Sequence, residues 1–104
     1  MKRYREEEEL FEIEELFSFV DACGYGDMSI VQYFIDEIGV DLNLKDDLNG
    51  TTGLHKAAQN GHVDVAKLLI QNGAKVNAVD RDKSTPLECA AWIKHVDVAN
   101  VLIQ

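Results

Sequence analysis

The chain repeats itself at an interval of 33 residues. Residues 47–58 (DLNGTTGLHKAA) lie over 80–91 (DRDKSTPLECAA), and 61–70 (GHVDVAKLLI) lie over 94–103 (KHVDVANVLI). A helical unit of this size cannot bury its own apolar face, so copies must stack against one another. A third, degenerate copy comes first. Residues 22–27 match 57–62, and Ile30, Tyr33 and Phe34 fall on Val65, Leu68 and Leu69. One inserted residue, Ile38, precedes Gly39, after which Asn43 falls on Asn77.

Within residues 47–78 the chain carries an Asp-x-x-Gly tip, Thr52-x-Leu54-His55, Ala57-Ala58, Gly61-His62, Leu68-Leu69 and Gly73-Ala74. Residues 79–104 keep Thr85-Pro86-Leu87 but place Lys83, Glu88 and Lys94 where the middle copy has Gly50, His55 and Gly61. These motifs closely resemble the ankyrin repeat, and the resemblance covers residues 16–104. Gly53 stands where that pattern has proline. The resemblance implies an all-α solenoid of stacked helix-turn-helix units with β-hairpin-like tips. It also implies a domain divided into an acidic extension (1–15), a capping repeat (16–43), a second repeat (44–78) and a third (79–104).

The residue types at the motif positions have structural work to do. Thr52 and Thr85 can accept hydrogen bonds from the backbone at a helix start, and Thr85-x-x-Glu88 reads as a capping box. Pro86 fits the first helical position. Gly26, Gly39, Gly61 and Gly73 follow helices, where left-handed backbone ends them. Lys83 and Lys94 should share that conformation at about 1 kcal/mol each. In the family pattern a histidine at His55 ties adjacent repeats. Ala57, Ala58, Ala90 and Ala91 allow close helix approach, while Leu54, Leu68, Leu69, Leu87, Val98, Val101 and Leu102 fill the layers. In the last repeat Val98, Val101 and Leu102 are expected to lack a covering layer. That face would then belong to a longer array or pair with another molecule.

Hydrophobic residues make up 46% of the chain and charged residues 28%, values typical of a globular domain. The net charge of −9 disfavours nucleic acid and anionic membrane surfaces as partners and favours a basic protein. Much of the acid lies in Glu6, Glu7, Glu8, Glu9, Glu12, Glu14 and Glu15, which reads as a solvated helix face or as a docking tail. Leu10, Ile13, Phe17 and Val20 recur at helical spacing, so one amphipathic helix is expected over about residues 6–23. Cys23 and Cys89 have no metal or redox spacing and read as buried, reduced thiols of an intracellular, cytoplasmic protein.

No catalytic constellation is recognisable, and no cofactor or metal is implied. His55, His62 and His95 fall on positions the repeat explains, without helical i, i+4 ligand partners. Residues 41–46 begin like a calcium loop but lose it at Lys45 and Asp46. Leu69, eight residues before Asn77, looks like the arrangement at which ankyrin repeats are hydroxylated on Asn. Asn77 equally suits a hairpin backbone bond.

Function is therefore expected on the concave surface that stacking creates, as a protein–protein interaction site. The positions that the motif leaves free are Leu48, Asn49, Thr51, Gln59 and Asn60 in the middle repeat. They are Arg81, Asp82, Ser84, Trp92 and Ile93 in the last, and Gly24 and Tyr25 in the first. Trp92 replaces the polar Gln59 and Ile93 replaces Asn60, which together have the composition of a binding hot spot. The competing reading folds Trp92 over its own hairpin or against a further repeat. The alternative function is a structural or oligomerising segment of a longer array, associating through its C-terminal helix face.

Overall fold

A computed structural model describes residues 19–103. The helix expected over 6–23 and the acidic run at 1–15 therefore lie largely outside the described residues. Helix α1 is seen over 19–25, followed by α2 (Met28–Tyr33), which runs into a π-helical turn, Phe34–Ile38. Two further pairs follow, α3 (Gly53–Asn60) with α4 (Val63–Gln71) and α5 (Pro86–Trp92) with α6 (Val96–Ile103). First helices pack on first helices, α3 on α5, and second helices on second, α2 on α4 and α4 on α6. The described residues are all-helical between turns, as the repeat predicts.

The starts of α3 and α5 are each set by a threonine side chain. Thr52 Oγ1 accepts the His55 N–H at 3.3 Å, and Thr85 Oγ1 accepts the Glu88 N–H at 3.3 Å. Glu88 completes its box by accepting the Thr85 N–H at 2.9 Å. The π-helical turn explains the inserted Ile38. The Gly39 N–H reaches back five residues to the Phe34 carbonyl at 2.9 Å, so the extra residue is absorbed inside the helix rather than in a loop.

The core is one continuous layer between the units. Phe19 meets Phe34 edge-on, with centroids 5.8 Å apart. Leu54, Ala57, Ala58, Val65, Ala66 and Leu69 are buried above them, and Ala90, Val98 and Leu102 above those. Val98 and Leu102 correct the expectation that they lack cover. Four residues apart on α6, they face inward onto α4. The uncovered side of the last unit is instead made by Ala91, Val96 and Ile103. Leu68, Leu87 and Val101 are half-buried.

The tips are closed turns, with no strand among the described residues. Asp80 N–H donates to Ser84 O at 3.0 Å, while the Asp80 carboxylate accepts from the backbone of Asp82 and Ser84. In the middle repeat this work falls to Asp46, not to Asp47 as the 33-residue register suggests. Asp46 N–H donates to Thr51 O at 2.9 Å and its carboxylate accepts the Asn49 N–H at 2.7 Å. The tip there is one residue longer, and Asp47 is left exposed.

Two departures from the repeat pattern have local causes. A Cβ added at Gly53 would stand 2.7 Å from Cys23 Sγ, so the bulk of Cys23 excludes any larger residue there. Gly53→Ala should cost about 2 kcal/mol in the wild type, and clearly less in a Cys23→Ala background. Additive losses in urea melts of the four proteins would break that link. Lys83 and Lys94 do adopt positive φ, 63° and 62°. Lys94→Gly should therefore raise stability by about 1 kcal/mol, and an unchanged urea midpoint would count against strain at this site.

Candidate functional site

Polar side chains join the units, and they determine which residues remain free. His55, fully buried, is the principal joint. Its Nδ1 accepts the Thr52 N–H at 3.2 Å, so the ring hydrogen sits on Nε2 and is donated to the Ser84 carbonyl at 2.8 Å. His62 Nε2 and Asn60 Nδ2 both donate to the Gly24 carbonyl, at 2.9 and 2.7 Å. The Lys75 N–H donates to Asn43 Oδ1 at 2.8 Å, and Lys45 Nζ donates to Val79 O at 2.7 Å. Asn77, which corresponds to Asn43, is exposed and makes no hydrogen bond among the described residues. Its amide occupies the place that, one unit earlier, receives a neighbour's N–H.

These joints correct part of the expected surface. Thr51 is only 3% exposed, and its backbone turns in to Asp46. Gly24 is buried beneath α3, where an added Cβ would touch Asn60 and Lys56. Asn60 is exposed, but its amide is committed to Gly24. Gln59 is half-buried, and its amide leans toward Cys89 Sγ, 3.9 Å away. Arg81 is exposed yet tied to the preceding tip, donating from Nη1 to Leu48 O at 2.7 Å and from its N–H to Asn49 O at 2.9 Å.

The remaining positions are open. Leu48 and Asn49 crown one tip and Asp82 the next, while Tyr25 stands out from the end of α1. Trp92 is 82% exposed at the end of α5, and Ile93 beside it is exposed as well. Trp92 lines a cleft of about 350 Å³ with Ser84, Glu88 and Ala91. Tyr25, Leu48 and Asn49 are not part of it. A second furrow runs between the tips, bordered by Asp46, Asp47 and Asp80 with Lys45 and Arg81. Glu88 and Ala91 were absent from the expected surface. The available signal was position, since Ala58, which corresponds to Ala91, is fully buried by the following unit.

Both thiols are buried and free, and desolvation pushes both up, Cys23 to about 12. They are held as neutral thiols rather than as nucleophiles. No group of side chains placed to hold a metal ion occurs among the described residues. No described helix is long and apolar enough to cross a membrane.

A family model described as ankyrin repeats, in three copies, matches residues 19–104. Among similar proteins, inversin from Danio rerio is 35% identical over 76 residues, covering 72% of this chain and 7% of that protein. The inhibitor of Bruton tyrosine kinase from Xenopus laevis is 36% identical over 67 residues, 64% of this chain and 5% of that protein. The Arf-GAP with ANK repeat and PH domain-containing protein cnt-1 from Caenorhabditis elegans is 40% identical over 69 residues, 66% of this chain and 8% of that protein. The chain thus spans less than a tenth of the length of these relatives. Ankyrin repeats are in general non-catalytic modules that bind other proteins. With its helix pairs, caps and joints in that pattern, this chain belongs to the ankyrin repeat family.

Proposed function

We propose that the chain is a non-catalytic recognition module that binds another protein along the concave side of its stack, made by the tips and the first helices. The observation that carries this reading is the exposure of Trp92, 82%, at a position where packing requires no aromatic ring. A large, rigid side chain left in water beside an exposed isoleucine gains most when a partner covers it. Asn49, Arg81, Asp82 and Ser84 would contribute the polar rim, Leu48 a further apolar contact at the tip, and Tyr25 a second aromatic contact. The net charge of −9 favours a basic partner, chiefly through the association rate. Free, buried thiols fit a reducing compartment such as the cytoplasm.

Affinity capture with the wild type and with Trp92→Ala, read by mass spectrometry, tests this. Trp92→Ala should weaken the captured partner by about thirtyfold while leaving the melting temperature unchanged. Equal recovery by both proteins would remove Trp92 from the interface.

A second reading, self-association or continuation of an array, is favoured by one observation. Val96 and Ile103 are 63% and 68% exposed, whereas Val63 and Ile70 one unit earlier are half-buried. A sedimentation mass that rises with concentration, and returns to the monomer in Ile103→Lys, would support it.

A further inference from the structure

The flank that α5 turns outward differs chemically from the flank that α3 turns to α5. On α3 the joint consists of His55, Ala58, Gln59 and, just beyond, Gly61. His55 donates to the next unit's Ser84 carbonyl, and Gln59 reaches the next unit's Cys89. Gly61 leaves room for the next unit's His95, whose ring would lie 2.8 Å from an added Cβ. The same four positions one unit later hold Glu88, Ala91, Trp92 and Lys94.

Ala91 is unchanged from Ala58, and two of the three changes, at Glu88 and Lys94, oppose the same neighbour. A carboxylate has only acceptors, as does a backbone carbonyl, so Glu88 cannot remake the bond of His55. Lys94 fills the space in which an imidazole would pass. Trp92 replaces an amide with an indole. Whatever covers this flank must therefore bring donors rather than a carbonyl.

Glu88 Oε1 is engaged by the Thr85 N–H and hydroxyl, at 2.9 and 3.2 Å. Its other carboxylate oxygen has no hydrogen bond among the described residues. Glu88 and Trp92 are four residues apart on α5, hence on one face, and both line the cleft of about 350 Å³. Neither Lys83 nor Lys94 lines it. A guanidinium lying on the indole reaches the carboxylate with its N–H fork, gaining cation–π and charge-assisted contacts at once.

We propose, resting on the recognition reading above, that this cleft takes an arginine side chain from a basic segment of the partner protein, stacked on Trp92 and paired with Glu88. The test uses the full chain and a fluorescein-labelled peptide of alternating glycine and arginine, with its citrulline twin as the neutral isostere. Anisotropy should show saturable binding of the arginine peptide and little of the citrulline peptide. Glu88→Gln, which can still serve in the capping box, should weaken binding by about fivefold at an unchanged melting temperature. Trp92→Ala should weaken it further.

Equal binding of both peptides would overturn the proposal. So would unaltered affinity of Glu88→Gln, which would place the peptide elsewhere on the acidic surface. The capture experiment separates the two levels. A natural partner lost by Trp92→Ala but kept in full by Glu88→Gln leaves the recognition reading standing and removes the arginine. A partner indifferent to both removes both.

Discussion

His55→Ala should lower the unfolding free energy by about 4 kcal/mol, a large part of the 5–15 kcal/mol of an ordinary domain. The substitution acts at one of the few buried polar side chains among the described residues. It removes the acceptor of the Thr52 N–H and hydroxyl and the donor to the Ser84 carbonyl. Each backbone group left buried without a partner costs about 1–3 kcal/mol, and the vacated ring space adds a cavity term. Because Ser84 belongs to the third unit, the loss should loosen the seam between α3 and α5 first. Urea unfolding followed by far-ultraviolet circular dichroism measures the effect. A loss below about 1 kcal/mol would mean that water or relaxation replaces these bonds, and that the histidine is not the joint.

Gly26→Ala should cost about 3 kcal/mol for two separate reasons. Gly26 has φ 77°, a conformation unfavourable to any residue with a Cβ. An added Cβ would also stand 2.5 Å from His62 Nδ1, forcing the imidazole away from the Gly24 carbonyl that it holds at 2.9 Å. A Gly26→Ala, His62→Ala double variant separates the two contributions. The steric part should vanish in that background and leave about 1 kcal/mol of backbone strain. The comparison with Lys94 is instructive. There a full side chain occupies the equivalent left-handed position, at φ 62°.

Much of the fold was legible because its rules are local. Thr52, Thr85 and Pro86 announce helix starts, and left-handed backbone at Lys83 and Lys94 follows from their alignment with glycine. The π-helical turn at Phe34–Ile38 was legible only as an unexplained extra residue. A count of residues does not say whether a helix or a loop absorbs one more. Asp46 displaced Asp47 from the tip for a similar reason, since hydrogen-bond geometry and not alignment decides which carboxylate turns inward.

The surface was harder to read. The repeat tells which positions vary, but a variable position can face solvent or the next unit. Gly24 was in the second class, and Thr51 is buried with its backbone bonded to Asp46. Asn60 and Arg81 remain exposed while each gives one side-chain nitrogen to a neighbouring unit. Glu88 and Ala91 were overlooked because they sit at packing positions, whose burial depends on a following unit that α5 does not meet among the described residues.

On the proposed reading the tips and first helices, and not the second helices, form the recognition side. Amide hydrogen exchange, compared between the chain alone and its complex with the captured partner, addresses this directly. Slowed exchange is expected in residues 46–51, in 80–85 and at the end of α5 around Trp92, with α4 and α6 unchanged. Protection confined to α4 and α6, with the tips and Trp92 exchanging as before, would contradict it.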